Sequence, residues 1–117
     1  MKWYLAKLIY RIICGEGDHK AQFDEQLRLI HAEDDLQAFQ KARVTGHSEQ
    51  DTFLNNTQKL VQWKFIDVSE LHPLTALTDG AEIYSRVYEE DDADNYIKIT
   101  QMRAAYLLEN SFTGFTV

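Results

Sequence analysis

MKWYLAKLIYRIIC, residues Met1–Cys14, opens the chain with a segment rich in aromatic and β-branched side chains. Such side chains pack well on a pleated surface, so Trp3–Ile13 is predicted to be a strand. Lys7 and Arg11 leave a second interpretation open, because residues four apart also form the polar stripe of a basic amphipathic helix at a membrane surface. The even spacing places both on one strand face as well, and the Trp, Tyr and Ile content favours the strand.

The same segment has only the outline of a secretory signal peptide. Lys2 precedes an apolar run, but Lys7 and Arg11 interrupt it and no small-residue cleavage site follows. No uninterrupted apolar stretch reaches the ~18 residues that a membrane-spanning helix needs. The lone Cys14 cannot form an internal disulfide, and this favours a reducing compartment. We therefore expect a cytoplasmic protein that does not enter the membrane.

Length and composition predict one folded domain. The chain has 117 residues, of which 44% are hydrophobic, with one Pro and five Gly; this suits a single α+β domain over residues 1–117. The 19 acidic and 12 basic residues give a formal charge of −7. This charge works against non-specific binding to nucleic acid or to an anionic membrane, so any nucleic-acid binding would have to be local.

Outward from the first strand, the pattern predicts a second strand, a helix, two more strands and a final helix. The first two strands are expected to pair antiparallel across the polar connection GEGDHKAQ. Acidic residues mark the start of the first helix, and Gly46 stands where a left-handed C-cap would end it. Between them Leu36, Phe39 and Ala42 recur at helical spacing. The predicted elements are strands Trp3–Ile13, Phe23–Ala32, Leu60–Val68 and Ala81–Tyr88, helices starting near Glu33 and at Ala93, and a short helical segment from Ser48.

This order, ββαββα, predicts an α+β fold. The most economical architecture is a two-layer sandwich, with a four-stranded, mainly antiparallel sheet and both long helices on one face. The last helix, Ala93–Glu109, carries an apolar stripe of period 3.6 that includes Ile97, Ala104 and Leu108. Pro73 is placed in a loop, and Asp79-Gly80 in a turn before the fourth strand.

Three segments carry a resemblance to a known family. They are MKWYLAKLIYRI at the start, QFDEQLRLIHAEDDLQAFQKA after it, and LVQWKFIDVSELHPL with DGAEIYS further on. Together they resemble a family of small bacterial proteins catalogued as Domain of Unknown Function 4288, over positions 1 to 86. The resemblance implies a one-domain bacterial protein without an assigned activity, and it supplies no catalytic residues.

The most acidic stretch is YEEDDADNY, Tyr88–Tyr96. It fails as an EF-hand loop, because neither a Gly at position six nor a Glu at position twelve is present from either plausible start. We expect Asp91 or Asp92 to cap the last helix, and Asp94 to lie in its positively polarised first turn. A looser metal site shared with another loop and an acidic docking patch remain open as alternatives.

No motif in the sequence predicts catalysis. The four histidines have no metal-ligand spacing and none is locally paired with Cys14, while the serines lack a nucleophile elbow and GEGDHK lacks the pattern of a phosphate loop. We therefore predict no catalytic residues, no metal ligands and no cofactor. A non-enzymatic role is favoured over an enzymatic one.

Strand phase gives the one candidate surface. We expect the helices to cover the face that bears Tyr4, Leu8, Phe23, Leu27, Val61, Trp63, Ile83 and Val87. The opposite face is then the candidate binding face, and it carries Lys7, Arg11, Arg28, Lys64, Tyr84, Arg86 and Tyr88. Apolar Leu5, Ile9, Ile30 and Ile66 lie on the same face.

Three interpretations of this face stay open. It is a solvated surface, a protein interface such as that of a homodimer, or a site for nucleic acid or another anion. The favoured function is a self-associating interaction module that uses this face or a strand edge, because an exposed sheet face would not need the apolar residues. The alternative is a binder of RNA or a small anionic ligand.

Overall fold

The computed structural model describes residues 1–111. The chain forms two compact units, Met1–Ser85 and a second that begins at Arg86. The elements are β1 (Lys2–Cys14), β2 (Gln22–Ala32), α1 (Asp35–Ser48), β3 (Asp51–Leu54), β4 (Leu60–Leu74) and α2 (Ala93–Ser111). That residues 1–117 form a single domain, with α2 beside α1 on the sheet, stays a prediction.

The four strands form one antiparallel sheet in the order β2-β1-β4-β3. The predicted α+β class and the antiparallel four-stranded sheet are confirmed. The opening segment is a central strand that pairs with β2 on one side and with β4 on the other. The alternative of an amphipathic surface helix for this segment is therefore wrong.

Helix α1 packs against one face of the sheet, which we call the covered face. Alternate residues of β1, namely Tyr4, Ala6, Leu8 and Tyr10, are buried there together with Ala38 and Ala42 of α1. The side chains that α1 contributes are small, so the helix approaches the strands closely and the aromatic rings fill the space between. Ile30 and Ala32 of β2 and Phe65 of β4 complete this core.

The start of α1 is as predicted, but its end is not. Asp34 is the N-cap, and its carboxylate accepts a hydrogen bond of 2.8 Å from the backbone N–H of Gln37. Gly46 is no C-cap, because the helix continues to Ser48. Gly46 is buried where a Cβ would overlap the ring of Phe65, and its carbonyl accepts a 2.9 Å hydrogen bond from the Tyr10 hydroxyl. This glycine permits close packing of the helix on the sheet.

Two elements after α1 differ from the prediction. The segment from Ser48 that was predicted to start a short helix instead leads into β3, which forms a hairpin with the start of β4. The Asn55 side chain closes its turn by accepting hydrogen bonds from Thr57 and Lys59. Strand β4 runs on through Pro73 to Leu74, beyond the predicted end at Val68. Proline is tolerated there because that side of β4 is an edge.

The predicted strand Ala81–Tyr88 is absent from the described residues, where positions 75–92 are irregular. The turn before it is confirmed, since Gly80 has φ +82° and Ala81 N–H donates to the carbonyl of Thr78. The alternation of apolar and polar side chains fits any extended segment. A strand also needs a neighbouring backbone to which it can hydrogen-bond, and the alternation does not supply that.

The acidic stretch serves the second unit as a helix start. Asp92 caps α2, accepting a 3.0 Å hydrogen bond from the backbone N–H of Asn95, and Asp94 lies in the first turn. The cap prediction is confirmed. Among residues 1–111, no group of three His, Cys, Asp or Glu side chains is arranged to hold a metal ion. No helix in this range is long and apolar enough to cross a membrane.

Candidate functional site

The sheet face opposite α1 is the candidate surface, and we call it the open face. Odd-numbered residues of β1 point to it because successive strand residues alternate between faces and the even-numbered ones are in the core. Directly paired residues of the neighbouring strands share that face. Its members include Trp3, Leu5, Lys7, Ile9 and Arg11 of β1, Phe23, Glu25, Leu27, Leu29 and His31 of β2, and Lys64, Asp67, Glu70, His72 and Leu74 of β4.

Lys7 stands at the centre of this face between two carboxylates. Its ammonium lies 3.2 Å from Glu25 on β2 and 3.0 Å from Glu70 on β4. Glu70 is its direct cross-strand partner, whereas Glu25 is a diagonal neighbour that pairs with Ile9. Glu70 makes the larger contribution to raising the pKa of Lys7. The side chain is 17% exposed, so its charge is held in the sheet surface and is neutralised there.

Glu70 connects Lys7 to His72. The other carboxylate oxygen of Glu70 lies 3.0 Å from Nε2 of His72. The hydrogen bond with His72, followed by that from Lys7, lowers the pKa of Glu70. The sequence prediction missed both residues because it ended β4 at Val68. Their i, i+2 spacing in phase with the strand was the signal that would have placed them beside Lys7.

Aromatic contacts cover the other end of the open face. Trp3 stacks on His31, with ring centroids 4.3 Å apart, and the ring of Tyr84 meets His72 edge-on at 5.4 Å. Leu5, which pairs with His72 across the strands, is only 4% exposed although it is on this face. The irregular segment that carries Tyr84 thus reaches the sheet surface and shields part of it.

Two positive charges lie side by side at the hairpin end of the face. Arg11 and Lys64 are direct cross-strand partners and both are exposed. Neither takes part in an ion pair within the described part of the chain. Like charges directly opposite each other are unfavourable in a sheet, and an anion bound between them would remove that cost.

The phase of β2 is opposite to the prediction. Phe23 and Leu27, expected in the core, lie on the open face and are 56% and 50% exposed, next to Leu29 at 53%. Ile30, expected on the open face, is buried on the covered face. Ile30 and Ala32 pair with the even-numbered β1 residues Tyr4 and Lys2, so they lie on the face that α1 covers and join its core. The open face is therefore more apolar than predicted.

Arg28 of the candidate face consequently lies on the covered face. Its guanidinium binds the side-chain oxygen of Gln26 and forms an ion pair with Glu49, the residue that caps the C-terminus of α1. Gln26 in turn donates to Asp24, which also accepts a 3.0 Å hydrogen bond from the indole of Trp63. These two donors, Gln26 first, lower the pKa of Asp24. Sequence reasoning missed this polar row.

The remaining two candidates belong to the second unit. The guanidinium of Arg86 lies 5.5 Å from the ring centre of Tyr88, and Tyr88 meets Tyr96 of α2 edge-on at 5.9 Å. The contact with Tyr96 raises the pKa of Tyr88. Of the seven predicted residues, the first unit thus brings Lys7, Arg11 and Lys64 together on the open face, with Tyr84 at its other end. Ligand or partner binding by this set stays a prediction.

The hairpin between β1 and β2 borders an open cavity of about 790 Å³ lined by Cys14, His19 and Lys59, among others. His19 accepts a 3.0 Å hydrogen bond at Nε2 from the backbone N–H of Cys14, so the imidazole contacts the main chain there. The thiol instead lies 3.7 Å from the amide nitrogen of Asn55. A cysteine nucleophile requires a base directed at its sulfur. The contacts of His19 and Asn55 do not place a base there.

A model of the family described as Domain of unknown function (DUF4288) matches residues 3–85. The chain belongs to this family. The match covers the three segments that carried the resemblance, and it ends at Ser85, where the first compact unit ends. The matched residues of this chain thus contain α1, almost all of the sheet and the open face. Comparisons with curated proteins and with solved structures found no match.

Proposed function

We propose that the family unit, Met1–Ser85, is a non-enzymatic interaction module that associates with a second copy of the same chain. One observation carries the proposal: Phe23, Leu27 and Leu29 form a row of half-exposed apolar side chains on the outermost strand of the sheet. Apolar residues grouped on a strand edge favour contact with another protein surface, because contact removes them from water.

The charges of the open face are compatible with such a contact. Lys7 is neutralised by Glu25 and Glu70, so bringing the centre of this face against another surface does not bury an unpaired charge. An enzyme would need a nucleophile, a base and an anion-stabilising group in mutual reach. The side-chain contacts described for the open face are ion pairs and ring contacts that hold the surface in place.

Light scattering at increasing protein concentration tests self-association. We expect the mass of a dimer for the wild type, and a dissociation constant raised by at least about tenfold for Leu29→Lys, which places a charge in the apolar row. Leu36→Lys is the matched control, because Leu36 is also exposed but lies on α1. A wild type that stays monomeric at all concentrations would rule out the proposal.

A second candidate function is binding of an anion, such as RNA, between Arg11 and Lys64. The specific observation in its favour is this exposed pair of like charges, neither of which forms an ion pair within residues 1–111. We expect salt-sensitive binding of an RNA oligonucleotide, measured by fluorescence anisotropy, to be lost in Arg11→Glu/Lys64→Glu. Lys98→Glu/Arg103→Glu on α2 changes the net charge equally and is expected to bind more like the wild type. Equal losses in both variants would indicate only a general charge effect.

A further inference from the structure

The two edges of the sheet are protected to different degrees. On one side, β3 pairs only with Leu60–Trp63, so the rest of β4 is an edge within the described sheet. This edge is irregular: the register with β1 shifts twice, leaving Ile66 and Ser69 out of the pairing, and Pro73 lies near its end. The side-chain oxygen of Gln50 also accepts a hydrogen bond from the backbone N–H of Phe65, which occupies that edge donor. Bulges, proline and covering side chains are the usual means by which proteins block strand edges.

Within the unit Met1–Ser85, the β2 edge lacks such protection along most of its length. Its pairing with β1 runs from Gln22 to Ala32 without a shift, and the strand contains no Pro, Gly or Lys. The described contact of α1 with its backbone is at one end, where the Lys41 ammonium binds the carbonyl of His31. Residues Gln22–Ile30 thus form a regular edge, and a second strand can add to such an edge through main-chain hydrogen bonds.

We propose that two copies of this chain join along β2, antiparallel, with Gln26 on the two-fold axis. This inference rests on the proposed self-association and specifies its contact. Antiparallel addition of β2 to its own copy brings residues of the same face opposite each other. With Gln26 on the axis, Asp24 lies opposite the partner's Arg28 on the covered face, and Phe23 lies opposite the partner's Leu29 on the open face.

Other registers are less favourable. Placing Asp24, Glu25 or Arg28 on the axis sets that charge against its own copy, which is destabilising across strands. Placing Leu27 on the axis removes the Asp24–Arg28 pairing. It also requires His31 to face the partner's Phe23, although the His31 carbonyl is already bound by Lys41. The register on Gln26 uses Gln22–Ile30 only, and it gives two opposite-charge pairs and two apolar pairs.

Disulfide trapping tests the register. In a Cys14→Ser background, Gln26→Cys places the thiols of the two copies opposite each other across the axis. Directly opposite residues have Cα atoms ~5 Å apart, a distance that a disulfide can bridge. Leu27→Cys is the matched control, because in this register its thiol faces the partner's Glu25. Under mild oxidation, we expect a non-reducing gel to show at least about tenfold faster dimer formation for Gln26→Cys than for Leu27→Cys, a ratio expected from the steep distance requirement of the disulfide.

Light scattering on the same samples separates the possible failures. Faster trapping of Leu27→Cys would overturn the register, and so would a dimer that neither thiol traps, which leaves self-association intact. A monomer at every concentration would overturn both. Hydrogen exchange of the wild type covers the case in which a cysteine variant does not fold. Amides of β2 should be protected more strongly as the protein concentration rises, and unchanged protection in a proven dimer would contradict edge pairing.

A charge exchange provides a second test of the same contact. Asp24→Arg and Arg28→Asp each place like charges opposite each other, and each is expected to weaken dimerisation by about tenfold or more. The double variant Asp24→Arg/Arg28→Asp restores two opposite-charge pairs and should recover most of the affinity. If the double variant is weaker than either single variant, Asp24 does not face the partner's Arg28.

Discussion

The two faces of the sheet in the unit Met1–Ser85 differ in what holds their side chains. On the covered face, β1 contributes Tyr4, Ala6, Leu8 and Tyr10 to a core closed by small residues of α1. On the open face, the neighbouring positions of the same strand carry Lys7, fixed by ion pairs, and Arg11, which is exposed. One strand thus supplies both the core of the fold and a surface available for contacts, and substitutions on the two faces should have different consequences.

The largest difference is expected for the same truncation on the two faces. Leu8 is fully buried and Leu29 is half exposed. Leu8→Ala should lower the free energy of unfolding by about 3 kcal/mol, because it removes buried methyl groups and leaves a cavity. Leu29→Ala should cost less than about 1 kcal/mol in the monomer. Urea unfolding at low protein concentration measures both, and equal losses would mean that the open face is as tightly packed as the covered one.

A smaller effect is expected from adding one methyl group at the closest approach of α1 to the sheet. Gly46→Ala improves helix propensity by about 1 kcal/mol, yet its Cβ would overlap the Phe65 ring. We expect a net loss of about 2 kcal/mol from overpacking. Phe65→Leu provides the test, since the smaller side chain relieves the overlap and Gly46→Ala should cost less in that background. A stabilising Gly46→Ala would show that the helix moves away freely.

The sequence was sufficient for the fold where local patterns and tertiary structure agree. β1, the Asp34 cap, the Asp92 cap and the antiparallel pairing of the first two strands follow from side-chain type and turn chemistry. Of the α1 residues buried against the sheet, Ala38, Ala42 and Gly46, only Ala42 was in the predicted stripe, because small residues give little hydrophobic periodicity. Leu36, predicted to be in that stripe, is 65% exposed.

The candidate surface was harder to predict because strand phase depends on tertiary contacts. In β2 both faces carry large apolar residues, Phe23, Leu27 and Leu29 on one and Ile30 on the other, so the pattern did not indicate which face α1 covers. A shift of one residue moves a whole strand to the other face, and Arg28 was misplaced for this reason. The extent of β4 was underestimated because Pro73 is unusual in a strand, and Glu70 and His72 were lost with it.

The smallest expected effect concerns the ion pairs of the open face and depends on pH. The pKa of Glu70 is lowered in the folded protein by His72 and Lys7. A carboxyl group with a lowered folded-state pKa stabilises the fold above its unfolded-state pKa, near 4.3 for Glu. That contribution is lost as the pH falls through the folded-state value. The wild type should therefore lose stability below about pH 4.5 in part because Glu70 becomes protonated.

Glu70→Gln isolates this contribution. The variant keeps Asp24 and Asp67, whose pKa values are also lowered, so both proteins share the rest of the acid dependence. We expect the urea midpoint of Glu70→Gln to fall less steeply than that of the wild type between about pH 5 and pH 3, and the two curves to converge at the acid end. Glu16→Gln in the hairpin loop is the control for loss of a carboxylate away from Lys7. Parallel curves for the wild type and Glu70→Gln would mean that Lys7 gains nothing from Glu70, and that Glu25 alone neutralises the centre of the open face.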